Sequence, residues 1–159
     1  MMKRGFFICL ACLAPVALVL AFRPPPPVGV SQHVRLSTHI FVGTAMDLTV
    51  KDGKGNVLKP EPPALTNYGF AEMNVQVAET LLPSSWKTNT TVKVRFGGAA
   101  FYVDKLRKDF LGKKQIYLTV LQDGYFLPSY PWHLVEPLDA RAEIEAAIKT
   151  NKPMAATTN

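Results

Sequence analysis

Three histidines, His33, His39 and His133, are the residues of this chain whose chemistry is most readily put to use. A zinc site takes three or four ligands with supporting spacing. No two of these histidines have helical ligand spacing, and none stands in a carboxylate-rich strand. They are expected to be solvated or turn residues, and no metal site is expected. The only cysteines, Cys9 and Cys12, lie in an apolar N-terminal run. The folded part then has no disulfide, no thiolate nucleophile and no Cys-ligated metal. There is no Gly-x-Ser-x-Gly elbow, His-Glu-x-x-His pair, Walker-type loop or dinucleotide glycine pattern. Gly97-Gly98 alone reads as a turn. No catalytic residue and no cofactor are assigned, so the chain is read as non-enzymatic. The alternative is a small extracytoplasmic hydrolase in which His133 meets a carboxylate that the sequence does not identify.

Two groups of side chains form a candidate partner surface. Tyr125, Phe126, Tyr130 and Trp132 crowd a proline-rich segment. Exposed aromatics often line binding surfaces, and the same residues equally suit a plug at one end of a barrel. Lys105, Arg107 and Lys108, with Lys113 and Lys114 beyond, form a basic stretch interrupted by Asp109. It reads as a solvated helix face, or as a site for anionic headgroups or an acidic partner. Asn89-Thr90-Thr91 is a glycosylation sequon, meaningful only in a eukaryotic secretory pathway.

The address is the clearest inference. Lys3 and Arg4 precede Gly5 to Phe22, eighteen residues without a charge. A basic start followed by an apolar run marks a secretory signal, with Val19-Leu20-Ala21 permitting cleavage before Phe22. As a helix the run is roughly 27 Å long, at about 1.5 Å per residue. That approaches a hydrocarbon core of roughly 30 Å, so an uncleaved anchor is the alternative. Either way the remainder is exported: to the periplasm, the extracellular space or the outer side of a membrane. Pro24 to Pro27 then form a stiff polyproline spacer. The expected division is 1–22 signal peptide or signal anchor, 23–33 proline-rich linker, 34–149 folded domain and 150–159 polar tail. The expected partners are the membrane, through an uncleaved N-terminal segment, and an unidentified envelope protein or anionic surface.

The elements that must position these groups are mostly strands. Ile40, Val42, Thr44, Met46, Leu48 and Val50 alternate with His39, Phe41, Gly43, Ala45, Asp47 and Thr49, which predicts a long first strand with one inward face. Gly43 near its middle tolerates a bulge. A second strand runs through Ala71, Met73, Val75 and Val77. A third carries Val92, Val94 and Phe96, with Lys93 and Arg95 opposite. Val103, Leu106 and Phe110 have helical spacing, with Asp104 in the first turn and Gly112 past the end. Ile116, Leu118 and Val120 predict a fourth strand facing inward, with Thr119 outward. After the Asp123-Gly124 turn, a fifth strand or two short ones cover Tyr125 to Val135. Leu138 to Lys149 is a helix with Asp139 as its cap.

The chain has 159 residues, 48% of them hydrophobic and 19% charged, which suits one folded domain with appendages. The net charge of +6 includes Lys3 and Arg4, so the excess on the domain is mild. The expected fold class is mainly β: a small five-stranded OB-like barrel with a short helix between strands three and four and a C-terminal helix. A sandwich is the alternative. His39-Ile40-Phe41-Val42-Gly43-Thr44, Phe70 to Leu82, and Phe110-Leu111-Gly112-Lys113-Lys114-Gln115-Ile116-Tyr117-Leu118 leading to Asp123-Gly124-Tyr125 cover roughly half the chain. In these pieces it resembles a loose group of small exported proteins of unknown function, whose OB-like barrel is similar to that of tissue inhibitors of metalloproteinases. The resemblance implies a fold. The inhibitors' metal-chelating N-terminal cysteine has no counterpart here. Binding of nucleic acid is not expected: Glu72, Asn74, Gln76, Lys93 and Arg95 leave the outer face of strands two and three without an aromatic platform.

Overall fold

The computed structural model describes residues 28–65, 69–86, 88–97, 102–131 and 133–151. The expected signal or anchor, the proline run, Trp132 and most of the tail lie outside the described residues. Among those described, no helix is long and apolar enough to cross a membrane.

The protein is mainly β. Helix α1 (Val30–Leu36) leads into β1 (His39–Asp52), β2 (Gly69–Leu82) and β3 (Thr91–Gly97). Helix α2 (Val103–Phe110) follows, then β4 (Lys114–Gln122), β5 (Tyr125–Pro128) and β6 (Val135–Glu136). A 3-10 turn (Leu138–Ala140) introduces α3 (Arg141–Thr150). The strands are ordered β1-β2-β3-β5-β4-β6, and β1 pairs with β4 as well. Five strands thus form a ring, and β6 pairs with β4 at Ile116 and Tyr117. The β3–β5 pairing is parallel. The last expected strand is two short ones because Pro128 and Pro131 interrupt the segment, and proline has no N–H for a ladder.

The first strand departs from a single inward face. Its pairing with β2 shifts register between Ile40 and Phe41, Val42 and Gly43, and Ala45 and Asp47. An extra residue at a bulge reverses which side chains point inward. Phe41 and Ala45 therefore enter the main core before the shift, and Leu48 and Val50 after it. Met46, expected inside, is 60% exposed. At Gly43 the strands approach closely: a Cβ there would lie 2.7 Å from Val75 Cγ1 and 3.0 Å from the Gln76 carbonyl oxygen.

Ile40 and Val42 point the other way, into a second core. There they meet Val34 of α1, Ile116 and Leu118 of β4, and Ile144 and Ala147 of α3. A strand covered on both faces loses the polar half of its alternation. Thr119 shows the consequence. It was expected on the surface and is fully buried, its hydroxyl donating to the His39 carbonyl at 3.0 Å.

The helices also differ in detail. The linker was expected to run through residue 33, yet α1 begins at Val30. It has no side-chain cap, so its stability rests on burying Val34 and His33, as a short helix requires. The last helix starts at Arg141 with no side-chain cap bond, and Asp139 sits in the preceding 3-10 turn.

Candidate functional site

The end of the ring beneath α1 gathers three titratable groups. Ser37, just past α1, donates its hydroxyl to the His33 carbonyl at 2.9 Å and is bonded to Ser129 Oγ at 2.8 Å. The Leu118 N–H donates to the Leu134 carbonyl, and the Ser129 N–H to the Leu118 carbonyl. These bonds draw the segment between β5 and β6 against the helix. They bring the His33 and His133 rings to 4.7 Å between centroids, tilted by 57°. Glu136, on β6, places Oε1 2.9 Å from His133 Nε2 and 3.6 Å from His33 Nδ1.

The three groups differ in their access to water. The His33 side chain is wholly buried, Glu136 nearly so, and His133 is 38% exposed. Burial first, and the neighbouring His133 second, push His33 down to about 4. It is neutral near pH 7. Neither of its ring nitrogens makes a hydrogen bond of normal geometry. Burial raises the Glu136 carboxyl above its ordinary value, with the Glu143 charge adding to the rise and His133 opposing it. The ligand atoms of all three residues lie within 4.8 Å of one another. Chemically this is a histidine–carboxylate pair suited to proton transfer, and equally a three-donor set suited to a metal ion.

His133 also lines a cleft of about 640 Å³. Phe70, Phe96, Phe110, Leu127, Leu134 and two prolines make its walls, and among the described residues Arg95 is the other polar one. Phe96 and Phe110 support each other at 5.6 Å. The Arg95 guanidinium stacks over Tyr125 at 3.1 Å and over Phe70 at 4.8 Å. Its Nε donates to Glu72 at 2.7 Å, and Lys51 reaches the other Glu72 oxygen at 2.6 Å. The cation at the rim is therefore held in place by rings and a shared carboxylate.

No family model matches the chain, and no curated protein matches it.

The residues singled out in the sequence separate into different roles. Phe126 is 6% exposed, with its ring edge-on to His39 and Phe41 and tilted against Trp86 at 5.1 Å. It plugs the ring and offers no surface. Tyr125 and Tyr130 are half-buried, and Trp132 lies outside the described residues. On α2, Lys105 pairs with Asp109 at 2.7 Å and Arg107 grips both Glu61 oxygens at 2.6 and 2.8 Å. Lys108 is exposed. The basic face is partly neutralised, while Phe110 of the same helix turns to the cleft. Of the histidines, His39 is half-buried among rings and only His133 resembles the solvated residue expected.

The carboxylate partner of His133 was missed, although it stands three residues on in His133-Leu134-Val135-Glu136. His33 was missed for a different reason: its contacts with the other two are long-range. The local signal was the Val30 and Val34 pair at helical spacing, which makes residues 30–36 a buried helix.

Proposed function

We propose that the chain is a non-catalytic binding module of the cell envelope: an OB-like barrel, exported by a signal peptide or held beyond a membrane by a signal anchor, that receives an apolar ligand. The cleft beside His133 carries this reading. Apolar walls with a few fixed polar groups are the usual construction of a ligand site, and the volume falls in the range of such sites. Arg95 and His133 supply donors that orient a ligand bearing one acceptor group. The ligand class is an apolar small molecule or an apolar segment of an envelope protein. Titration with a fluorescent fatty acid tests it. Saturable binding is expected, lost in Leu127→Arg, which puts a charge into the wall from a half-buried position. No saturable binding, or equal binding by the variant, overturns the reading.

The likeness to the barrel of tissue inhibitors of metalloproteinases is part of the proposal, supported by the ring order of β1 to β5. Many OB barrels bind single strands, yet this one is proposed not to. Glu72 pairs across the sheet with both Lys51 and Arg95, which uses the cations a phosphate chain needs. Micromolar anisotropy binding of a labelled oligonucleotide would contradict this.

One contact supports a second reading, a small hydrolase. His133 Nε2 lies 2.9 Å from Glu136 Oε1 at the wall of the cleft. A histidine that donates Nε2–H to a carboxylate keeps its lone pair on Nδ1 and acts as a general base toward water. Ester turnover abolished by His133→Ala would favour this reading, and absence of turnover across acyl chain lengths would remove it.

A further inference from the structure

We propose that His33, His133 and Glu136 together bind one divalent transition-metal ion of the zinc class, tying α1 to the segment that ends in β6. The donors are two imidazoles and one carboxylate. That combination suits zinc, cobalt, nickel and copper, whereas magnesium and calcium prefer sites made of oxygens.

The spacing suits a tetrahedral ion. Zinc–nitrogen and zinc–oxygen bonds of about 2.0–2.2 Å place neighbouring donors about 3.3 Å apart. Two of the edges, 2.9 Å from Glu136 to His133 and 3.6 Å from Glu136 to His33, lie on either side of that value. All three donors already fall within 4.8 Å of one another. The His133 side chain is 38% exposed, so closing the third edge calls for a turn of a partly exposed ring.

An independent observation concerns His33 alone. Its ring is fully buried, and neither nitrogen makes a hydrogen bond of normal geometry, its polar neighbours being the Glu136 carboxylate at 3.6 Å and the His133 backbone. Buried polar atoms are nearly always satisfied, and an exception in a folded protein calls for a group that completes it. A metal bond to Nδ1, the nitrogen facing Glu136, supplies that group. Three protein donors leave a fourth position for water or a ligand atom. The His133 side of the cluster borders the cleft, so the open position faces there.

The test uses the untagged full-length chain in detergent micelles, stripped of metal and titrated with cobalt(II). The expected result is a visible ligand-field spectrum saturating at one ion per chain and displaced by zinc. Glu136→Gln and His133→Ala are each expected to weaken zinc binding by about 100-fold or more, since loss of even an outer-shell partner costs about 10–100-fold. His133 is part-exposed, so His133→Ala is the variant that retains the fold, as circular dichroism will verify. Zinc should raise the melting temperature of the parent chain and leave that of His133→Ala unchanged. A stoichiometric site that survives His133→Ala would belong to other donors, such as Cys9 and Cys12, and overturns the proposal. So does the absence of a saturating cobalt spectrum, or magnesium or calcium binding as tightly as zinc.

Discussion

Replacing Thr119 by alanine tests the two-faced burial of β4 directly. The side chain is fully buried and its hydroxyl donates to the His39 carbonyl at 3.0 Å. Losing a hydrogen bond of this kind costs about 0.5–1.5 kcal/mol. Losing the buried methyl adds about 0.8 kcal/mol. Thr119→Ala should therefore destabilise the domain by about 1.5–2.5 kcal/mol. Leu118→Ala, on the opposite face beneath the helices, should cost about 2–5 kcal/mol. Thr119→Val keeps the shape and removes only the donor, so it should fall between alanine and the parent. Urea denaturation followed by tryptophan fluorescence reads all three, because the Trp86 ring packs on Phe41 at 5.4 Å and changes environment on unfolding. If Thr119→Ala changes stability by less than about 0.5 kcal/mol, the residue behaves as a surface site. The burial of the ring-side face of β4, which Thr119 shares with Tyr117, would then be wrong.

Three further outcomes are expected. Gly43→Ala should cost about 1–3 kcal/mol by overpacking, because the added Cβ meets Val75 and the Gln76 carbonyl; a neutral result in the same denaturation assay would show that β1 and β2 are farther apart there. Glu72→Gln should cost about 1.5–3 kcal/mol, since the nearly buried carboxylate accepts from Lys51 and Arg95 together; a loss under about 0.5 kcal/mol would place the trio in water. Burial holds the His39 imidazole below its ordinary 6.5, so between the folded value and 6.5 the unfolded chain binds more protons. Stability should then fall as pH drops through that window, comparing urea midpoints at about pH 7.5 and about pH 5.5, with a shallower fall in His39→Phe. A midpoint that rises on acidification would contradict the assignment.

The sequence showed most of the ring and, of the layer beside it, the last helix but not the first. Strands β1 to β5 and helix α2 are legible because alternation, helical spacing and turn residues such as Asp123-Gly124 are local signals. Side-chain direction in β1 was misread before the shift at Ala45 and Asp47, where Phe41 and Ala45 and not Ile40 and Val42 face the main core, while Leu48 and Val50 past it face inward as expected; a bulge shifts register without leaving a residue signature. Thr119 misled because Ile116 and Leu118 read as the inward face, whereas they face a second layer and leave Thr119 on the ring side with Tyr117. That layer is α1 and α3, which come from opposite ends of the chain and are short and uncapped. The candidate site depends on the same long-range packing. The sequence offers His133 and Glu136 three residues apart, and nothing local adds His33 to them.

The two-ended origin of that layer sets an order of folding during synthesis. Chains emerge from the N-terminus at about 5–20 residues per second, and early segments fold first where they can. The ring closes once β4 and β5 have appeared, but Ile40, Val42, Ile116 and Leu118 still show an apolar outer face. Val34 arrives early and cannot cover it alone. The face stays open until Ile144 and Ala147 emerge. A chain stopped before Arg141 would carry a finished ring and an uncovered sticky wall, the kind of surface that chaperones hold and aggregates share. The last ten described helical residues therefore act as the closing step of biogenesis, and shortening the protein at that end should harm its yield before its fold.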